Sequence, residues 1–430
     1  MLRKLFKADY IYCTLLIFGF MLGISKLAPN LTFLNPIEQA LEDFEMTDVV
    51  FGNEDLREPQ LADTNIVLVN FGSQSRRRIA KQIEIIAAQH PKVLGIDCHF
   101  RTLKRPDDDS LLASALSKVK NLVLYSKMQY KAPDSKAFDT IGRCHPIFAR
   151  YGTSGFTNLV TPGKETYITC RSFSPRETAN GVTETAFAVE IARYVDSNMA
   201  RKFLERGNDV ELINFRGNYQ MFYSLDVNSF IGEDDDNGFM KDPELPISLK
   251  DKVVIMGYMG DDFSSADMTR DDKFHTPMNE HYAGKSYPDM FGVVVHANIV
   301  SMILHDVPLN QMGVLTTYLL ALLLCYITVI FFFYIHDEFP SWYDMVVKTS
   351  QVLIVMLILF AVIFVFAGYR YKMDLSVAAV AVGLSGDLLE VYTGAMYNIV
   401  GRFTERVKKI LQGKSQVPVR ADDAETEGEG

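Results

Sequence analysis

Three polar side chains follow an apolar, strand-like run in the first quarter of the chain. Asp97, His99 and Arg101 alternate at the end of the segment Lys92–Phe100 and just beyond it. In open α/β sheets, ligands bind beyond the carboxyl ends of the strands, so these residues are our candidate ligand-binding residues. A structural role, in which Asp97 caps the following loop, explains the same pattern equally well.

A second polar cluster lies in the long loop from Gly260 to Asp289. His275 and His281 are surrounded there by aspartates. These aspartates are Asp261, Asp262, Asp267, Asp271 and Asp272. Imidazoles and carboxylates can hold a divalent cation, but the glycine and the bidentate glutamate of a calcium loop are absent at the required offsets. We therefore interpret the loop as a solvated acidic loop and predict no metal site.

Other chemistry-bearing patterns are weak. The segment FGSQSRR with Gly72 contains neither GxGxxG nor GxxxxGK, which argues against a nucleotide site. No Ser/His/Asp, Cys/His or paired-carboxylate spacing suggests catalysis. His296, on an otherwise apolar helix, is interpreted as a hydrogen-bonded core residue. We expect neither an enzyme nor a cofactor.

The five cysteines form no CxxC motif, which argues against a zinc site or a redox motif. Cys13 and Cys325 lie in apolar segments, and Cys98 is interpreted as a buried thiol. A disulfide between Cys144 and Cys170 is an alternative that requires a compartment outside the cytoplasm.

The elements that position Asp97 alternate regularly. Strand-like runs at Asn65–Phe71, Lys92–Phe100 and Asn121–Met128 enclose two helical segments, Ser75–His90 and Asp107–Val119. This order predicts parallel βαβ units, and nearly continuous apolar strands are covered on both faces. The predicted fold is a mixed, mostly parallel sheet with helices on both faces.

The pattern changes after these units. Gly155–Val160 and Tyr167–Pro175 predict a hairpin, and Thr183–Leu204 predicts a single helix. Strands at Leu212–Asn218 and Lys252–Met259 and a helix at Gly292–His305 follow.

Long apolar runs predict membrane helices. Gly313–Ile335 contains no charged residue over 23 positions, and about 20 apolar residues cross a bilayer. A second run covers Val352–Gly368, and a weaker one lies within Met373–Val400. We place the last span at about Leu375–Val391. The alternative ends the span near Ser385 and begins a cytoplasmic helix there.

That weaker run contains two acids, Asp387 and Glu390. Acids at membrane depth are costly and tend to face a protein interior or to mark function. We expect both near the cytoplasmic interface.

The N-terminal apolar run follows Arg3, Lys4 and Lys7, which place the N-terminus in the cytoplasm. We favour an uncleaved signal anchor over a cleaved signal peptide, since no clear cleavage site follows. The predicted division is a cytoplasmic N-terminus at 1–9, spans at 10–27, 313–335, 350–368 and 375–395, an extracytoplasmic α/β domain at 28–311, and a basic then acidic cytoplasmic tail at 396–430.

The acidic balance limits the partners. The 430 residues carry a net charge of −10, and the one basic cluster of the soluble part is Ser75–Lys81. Nucleic acid is excluded, because phosphate contacts need clustered lysines and arginines. The expected partners are the lipid bilayer, another membrane or cytoplasmic protein, and a second copy of the chain.

Several segments in this order resemble the CHASE2 domain family. They are DTNIVLVNF, KVLGIDCHF, DDDSLLASALSKVKNLVLY, INFRGN, LKDKVVIMGYMGD, KFHTPMN and MFGVVVHANIVSMIL. The resemblance covers roughly Glu38 to Val400. It implies an N-terminal membrane helix, an extracytoplasmic α/β sensor domain and about three closely spaced membrane helices.

Two departures from the family pattern qualify the resemblance. FGSQSRRRIAK lacks the Trp-Pro type segment that often precedes the first helix. Only about thirty residues follow Val400, too few for a cytoplasmic cyclase or kinase. The resemblance therefore implies a sensor of the bacterial inner membrane that relays its signal to a separate protein. A docking subunit of an envelope complex, without a small ligand, is the alternative.

Overall fold

The computed structural model describes residues 7–27, 45–57, 59–130, 138–159, 169–230, 245–263, 272–279 and 287–396. Two compact units are distinguished, which we call the helical unit and the α/β domain. The helical unit comprises Met1–Phe33, Met312–Val362 and Met373–Gly430, and the α/β domain comprises Leu34–Gln311 and Ile363–Lys372.

Several predictions concern residues outside the described part. They are the basic N-terminus at 1–6, the acidic positions 267 and 271, His281, and the tail from 397. A helix predicted from apolar spacing at Asn35–Val50 lies outside the described residues up to 44.

The described elements follow one another in this order. The first are α1 (Ala8–Leu27), α2 (Met46–Gly52), β1 (Asp63–Asn70), α3 (Arg76–Ala88), β2 (Val93–Ile96), α4 (Pro106–Ser117), β3 (Leu122–Gln129), β4 (Thr140–Arg143), α5 (Pro146–Ala149) and β5 (Thr153–Phe156). Next are β6 (Ser172–Phe173), β7 (Arg176–Ala179), β8 (Val182–Thr185), α6 (Phe187–Val195), α7 (Ser197–Leu204), β9 (Glu211–Leu212), β10 (Phe222–Leu225) and β11 (Val253–Gly257). The last are β12 (Lys273–Phe274), β13 (Met290–Phe291), α8 (Gly292–Leu304), β14 (Asn310–Gln311), α9 (Val314–Glu338), α10 (Tyr343–Tyr369), β15 (Tyr371–Lys372) and α11 (Ser376–Val391).

Local sequence explains where the first two domain helices begin. The Ser75 side chain accepts a hydrogen bond from the Arg78 N–H and caps α3. Helix α4 starts at Pro106, which suits the first helical position, and three aspartates follow in its first turn. Their negative charge is favourable at the positive end of the helix dipole.

A seven-stranded sheet forms the centre of the domain. Its order is β10-β1-β11-β2-β3-β4, and β5 also pairs with β3. Every pair is parallel except β3 with β4. Asn70 lies opposite Gly257, and Met256 lies opposite Ile96. The ends of β1, β11 and β2 therefore meet at one edge, where Asp97 follows β2.

Alternate residues of the central strands enter two separate cores. Ile66, Leu68 and Val93 belong to a core that includes side chains of α6 and α8. Val67 and Leu94 belong to the other core, which includes side chains of α3 and α4. Because side chains alternate across a strand, a sheet buried on both faces needs apolar residues at every position. The predicted sheet with helices on both faces is confirmed.

Two predictions after the third strand are wrong. Gly155 lies in β5, which pairs with β3, while β6 pairs with β9, so the described residues of these segments, up to 159 and from 169, do not pair with each other as a hairpin. The predicted helix Thr183–Leu204 begins instead as the strand β8 and continues as two helices. Asp196 ends α6 and caps α7, because its side chain accepts hydrogen bonds from the N–H groups of Asn198 and Met199.

Further differences concern short strands. The predicted strand Leu212–Asn218 is reduced to β9, Glu211–Leu212. The edge strand β10 at Phe222–Leu225 was not predicted and pairs in parallel with β1.

Four helices among the described residues are long and apolar enough to cross a membrane. They are Ala8–Lys26, Val314–Glu338, Pro340–Tyr369 and Ser376–Gly394. This number, with one N-terminal helix and three C-terminal helices, agrees with the prediction. The third helix begins well before the predicted position 350, so Lys348 is also helical.

Aromatic side chains pack α1, α9 and the segment after α11 together in the helical unit. The ring of Phe333 lies 5.1 Å from that of Tyr10 and 6.1 Å from that of Tyr392. The Tyr392 hydroxyl donates to Asp9 Oδ1 at 2.9 Å. The beginning of α1 and the end of α11 therefore lie at the same end of this unit.

Helices α10 and α11 contact each other closely at Gly386, and a side-chain hydrogen bond joins them at Gly383. A side-chain carbon at Gly386 would lie 2.5 Å from Val347 Cγ1. The Gln351 side chain is buried and donates to the Gly383 carbonyl at 2.7 Å. Small residues and an interhelical amide hydrogen bond are common devices of helix packing in membranes.

At Gly257 the strand β11 lies close against α8. A side-chain carbon there would lie 2.6 Å from Val293 Cβ, which cannot move without the helix. Gly257→Ala is therefore expected to destabilise the domain by about 1–3 kcal/mol. The measurement is the thermal unfolding of the detergent-solubilised protein.

Gly142→Ala is the matched control for that substitution. Its nearest neighbours are the ends of the flexible side chains of Gln129 and Arg101, at 3.1 and 3.3 Å. The control is expected to change stability by less than about 0.5 kcal/mol. Equal effects of the two substitutions would contradict the described packing of β11 on α8.

Candidate functional site

The Asp97 carboxyl lies at the carboxyl end of β2, half-buried. Its backbone N–H donates to the Met256 carbonyl at 2.8 Å, which continues the pairing of β2 with β11. Burial raises the pKa of Asp97 to about 8; the charge of Asp272 adds to the rise, and Lys127 opposes it. The carboxyl is therefore largely neutral at pH 7.

His99 and Arg101 are both exposed beside this position. The His99 ring lies 5.5 Å from the ring of Tyr125 on β3. Burial, with the charges of Arg101 and Lys127, lowers the pKa of His99. A carbon at Gly142 would lie 3.3 Å from the Arg101 guanidinium carbon. The three candidate residues thus follow one strand, with Asp97 inward and the other two at the surface.

An amide at the same edge organises the loop after β11. Asn70 is fully buried, and its side chain donates to Asp226 Oδ1 at 3.0 Å and to the Gly260 carbonyl at 3.1 Å. Its oxygen accepts from the N–H of Gly72 and of Met259, both at 2.9 Å. The Asn70 side chain thus donates two hydrogen bonds and accepts two. We therefore assign this residue, at the end of β1, a structural role.

Gly72 is required by the same network. Its φ is +54°, and a side-chain carbon would lie 2.7 Å from the Asp261 carbonyl oxygen. The glycine therefore permits a close backbone approach.

The Thr-Pro segment before α8 is held by Asp289. Thr276 donates to the Asp289 carboxylate through its backbone N–H at 2.8 Å and through its hydroxyl at 2.5 Å. Burial raises the pKa of Asp289 to about 6, against the lowering effect of these hydrogen bonds. Within the described residues, no group of three or more His, Cys, Asp or Glu side chains could hold a metal ion.

His296 and the cysteines occupy structural positions. His296 is buried on α8 with its ring 5.2 Å from Phe187, and burial lowers its pKa to about 4. Cys144 and Cys170 are free thiols, so the alternative disulfide does not form. Burial raises the pKa of Cys98 and of Cys170 to about 12, and neither thiol is therefore reactive at neutral pH.

Two short strands join distant parts of the chain in the α/β domain. Asn310 lies opposite Tyr371, and Gln311 lies opposite Lys372, in a parallel pair that we call the β14–β15 clip. Gln311 precedes the second membrane span by three residues, and Lys372 follows the third by three. The clip therefore pairs the residues just before the second span with the residues just after the third.

The last turns of α10, from Ile363, belong to the α/β domain. Phe366 is 4% exposed within the domain core, and its ring lies 5.4 Å from that of Phe51 on α2. Phe51 also contacts Phe215 edge-on at 6.0 Å. Ile363 and Ala367 pack against the same core.

A cavity of about 200 Å³ lies beside the clip. It is lined by Glu45, Thr169, Arg171, Ser172, Val210, Leu212, Gln311 and Lys372. A second cavity, of about 310 Å³, shares Leu212 and Gln311 with the first and adds Arg206 and Glu211. Neither cavity is lined by Asp97, His99 or Arg101.

Three ion pairs surround these cavities. Arg171 contacts Asp48 at 2.6 Å, and Arg206 contacts Glu211 at 2.7 Å. Lys372 pairs with Glu45 just before α2. The side chains of Asp48 and Glu211 are each 2% exposed, whereas that of Glu45 is 37% exposed. The acid that pairs with the clip residue Lys372 is thus the most solvent-accessible acid of the three pairs.

The two membrane acids lie at the end of α11. Asp387 and Glu390 are both exposed, and Asp387 forms an ion pair with Lys348 of α10. Neither side chain faces the interior of the helical unit.

The clip, Phe366 and Lys372 were missed as functional candidates. Two-residue strands have no periodicity to detect, and Phe366 is one apolar residue in an apolar run. The only feature of the sequence that pointed to this region was the positive charge of Arg370 and Lys372 between two predicted spans.

The geometry describes a class of protein, namely an α/β domain with one membrane helix before it and three after it. The CHASE2 domain family matches residues 39–334, and the chain belongs to this family. CHASE2 is a sensor-type extracytoplasmic domain family, so this is a membrane protein with a large extracytoplasmic domain. No curated protein and no solved structure gave a significant match.

Asp97 provides a pH-dependent test of the strand-end geometry. Its pKa is about 8 in the folded state, against an ordinary value of 3.8. Between these values only the unfolded state loses the proton. The free energy of unfolding of the wild-type protein therefore falls as the pH rises from about 4 to 8. Asp97→Asn is therefore expected to stabilise the protein relative to wild type by at most about 5 kcal/mol at pH 8 and by little at pH 4.

Thermal unfolding of both proteins from pH 4 to pH 9 measures this difference. Asp209→Asn, in the loop between α7 and β9, is the control, because its carboxylate is exposed and lies outside any helix. A stability difference for Asp97→Asn that does not grow with pH would contradict the raised pKa of this half-buried carboxyl.

Proposed function

We propose that this chain is a sensor module of the bacterial inner membrane. Its domain perceives an extracytoplasmic signal, and its helices relay that signal to a separate protein. The packing of Phe366 in the domain core is the observation that carries this proposal, since α10 continues from that core into a predicted span. The proposal assigns no catalytic step and no cofactor to the chain.

The relay is a population shift between two arrangements of the helices. A signal shifts such an equilibrium only by binding one arrangement more tightly than the other. The clip joins Gln311 to Lys372 next to two spans, so a change in the domain at this point reaches both. Asp97, His99 and Arg101 at the strand ends are a second location where a ligand can act on the domain.

Charge and geometry support a topology with both termini in the cytoplasm. Arg3, Lys4 and Lys7 precede the first span, and positive residues favour the cytoplasmic side. The hydrogen bond between Tyr392 and Asp9 agrees with an even number of spans. The receiving protein then contacts the helices or their cytoplasmic ends. It is either another membrane or cytoplasmic protein or a second copy of the chain.

A reversible covalent lock of the clip tests the relay. Asn310 and Tyr371 lie opposite each other, and paired strand positions are near enough for a disulfide. The double variant Asn310→Cys/Tyr371→Cys is captured from gently solubilised membranes under oxidising and reducing conditions. We expect the amount of co-captured partner to differ by about fivefold between the two states, because the lock favours one arrangement.

The wild-type chain, with its five native cysteines, controls for oxidation elsewhere. A second control, Asn310→Cys/Asp374→Cys, places one cysteine outside the pairing register. A stoichiometric partner captured equally in the locked and unlocked states would contradict the relay and would indicate a docking subunit.

A further inference from the structure

The cavity beside the clip has the side chains of an anion site. Arg171 and Lys372 supply positive charge, and Thr169, Ser172 and Gln311 supply hydroxyl and amide donors. Among the described residues, Glu45 is the one acid that lines it. A volume of about 200 Å³ suits a small head group better than a drug-sized ligand.

The ion pairs around the cavity differ in how easily they exchange partners. Asp48 accepts hydrogen bonds from Arg171 at 2.6 and 2.8 Å and from the backbone N–H of Glu45 at 2.9 Å. Its side chain is 2% exposed, so this pair is fixed. The Glu45–Lys372 pair is more open, with side chains 37% and 22% exposed. Exposed ion pairs contribute little stability, and another anion can therefore replace Glu45.

We propose that this cavity binds a phosphate-bearing group that replaces Glu45 as the partner of Lys372. A phosphate offers several strong acceptor oxygens to the surrounding donors, and a lysine ammonium binds it as a point charge. The inference rests on the proposed function and deepens it by naming the chemistry of the signal.

The position of the cavity admits two sources of phosphate. Gln311 and Lys372 are each three residues from a membrane span, which is at most about 10 Å of extended chain. The head group of an anionic lipid is within that reach. A soluble phosphate ester from the extracytoplasmic space carries the same chemistry.

Binding at this position has a direct structural consequence. Glu45 directly precedes α2, and α2 carries Phe51, which contacts Phe366. Release of Glu45 from Lys372 removes the ion pair that links the start of α2 to the clip. Through α2, the bound ligand thus affects the contact between Phe51 and Phe366 of α10.

The test measures binding to the full-length chain in an uncharged, phosphate-free detergent. Glycerol 3-phosphate is titrated calorimetrically in the first arm. In the second arm, the thermal midpoint is compared between nanodiscs of phosphatidylcholine with and without phosphatidylglycerol. Lys372→Gln is expected to weaken binding about tenfold or to abolish the lipid effect.

Two variants make this result interpretable. Glu45→Gln removes the competing anion and is expected to tighten binding several-fold, a gain that misfolding cannot produce. Lys118→Gln is the matched control and is expected to bind as wild type, because Lys118 directly follows α4 and pairs with Glu84 of α3.

Each outcome has one meaning. If glycerol 3-phosphate binds saturably and the three variants behave as expected, the natural ligand is a soluble phosphate ester. If the variants behave as expected only in nanodiscs, the ligand is an anionic lipid. If Lys372→Gln and Lys118→Gln have the same affinity and the same lipid effect, the proposed site is wrong. If Glu45→Gln binds no more tightly than wild type, the ligand does not replace Glu45 as the partner of Lys372. The binding test contains no receiving protein. Failure of the capture experiment with the locked clip therefore contradicts only the proposed relay, and failure of the binding test contradicts only this site.

Discussion

The burial of Phe366 is the contact on which the rest of this structure depends. A phenylalanine in the last turns of a membrane helix is ordinarily free to face lipid, yet this one is packed against Phe51 in the core of the α/β domain. Removing a buried aromatic side chain costs about 3–5 kcal/mol, which is comparable to much of a domain's stability. The end of α10 therefore cannot separate from the domain without a large loss of buried apolar surface.

The central sheet imposes the second constraint. Its strands are covered on both faces, so polar side chains are confined to the strand ends and the connections. Asn70, Asp97 and Asp226 lie at the carboxyl end for this reason, and Asn70 satisfies the loop backbone around it. The strand ends are thus rigidly built. The ion pairs beside the clip are held instead by long side chains that can exchange partners.

Apolar periodicity accounts for how much of this fold could be predicted. Strands β1, β2, β3 and β11 are nearly continuous apolar runs, and all were predicted along with α3, α4 and α8. The four membrane helices were predicted for the same reason. The predicted helix Thr183–Leu204 was wrong because Asp196 interrupts a helical pattern by capping the next helix, an effect of one side chain on local backbone groups.

Long-range pairing accounts for what could not be predicted. Strand β6 pairs with β9 about forty positions later, and β14 pairs with β15 about sixty positions later. Such pairings depend on where the surrounding elements lie, and two-residue strands have too few side chains to specify a partner. For the candidate site, the strand-end rule led to Asp97. Lys372 gained its importance only from its proximity to Glu45 and Gln311.

A double-mutant cycle between Phe51 and Phe366 tests the central claim most directly. The unfolding free energies of wild type, Phe51→Ala, Phe366→Ala and the double variant are measured for the full chain in detergent. Direct packing predicts a coupling of about 0.5–1.5 kcal/mol, because each substitution alone already removes the shared contact. Strictly additive effects would show that the two rings do not touch, and would contradict the packing of the end of the third membrane helix on α2.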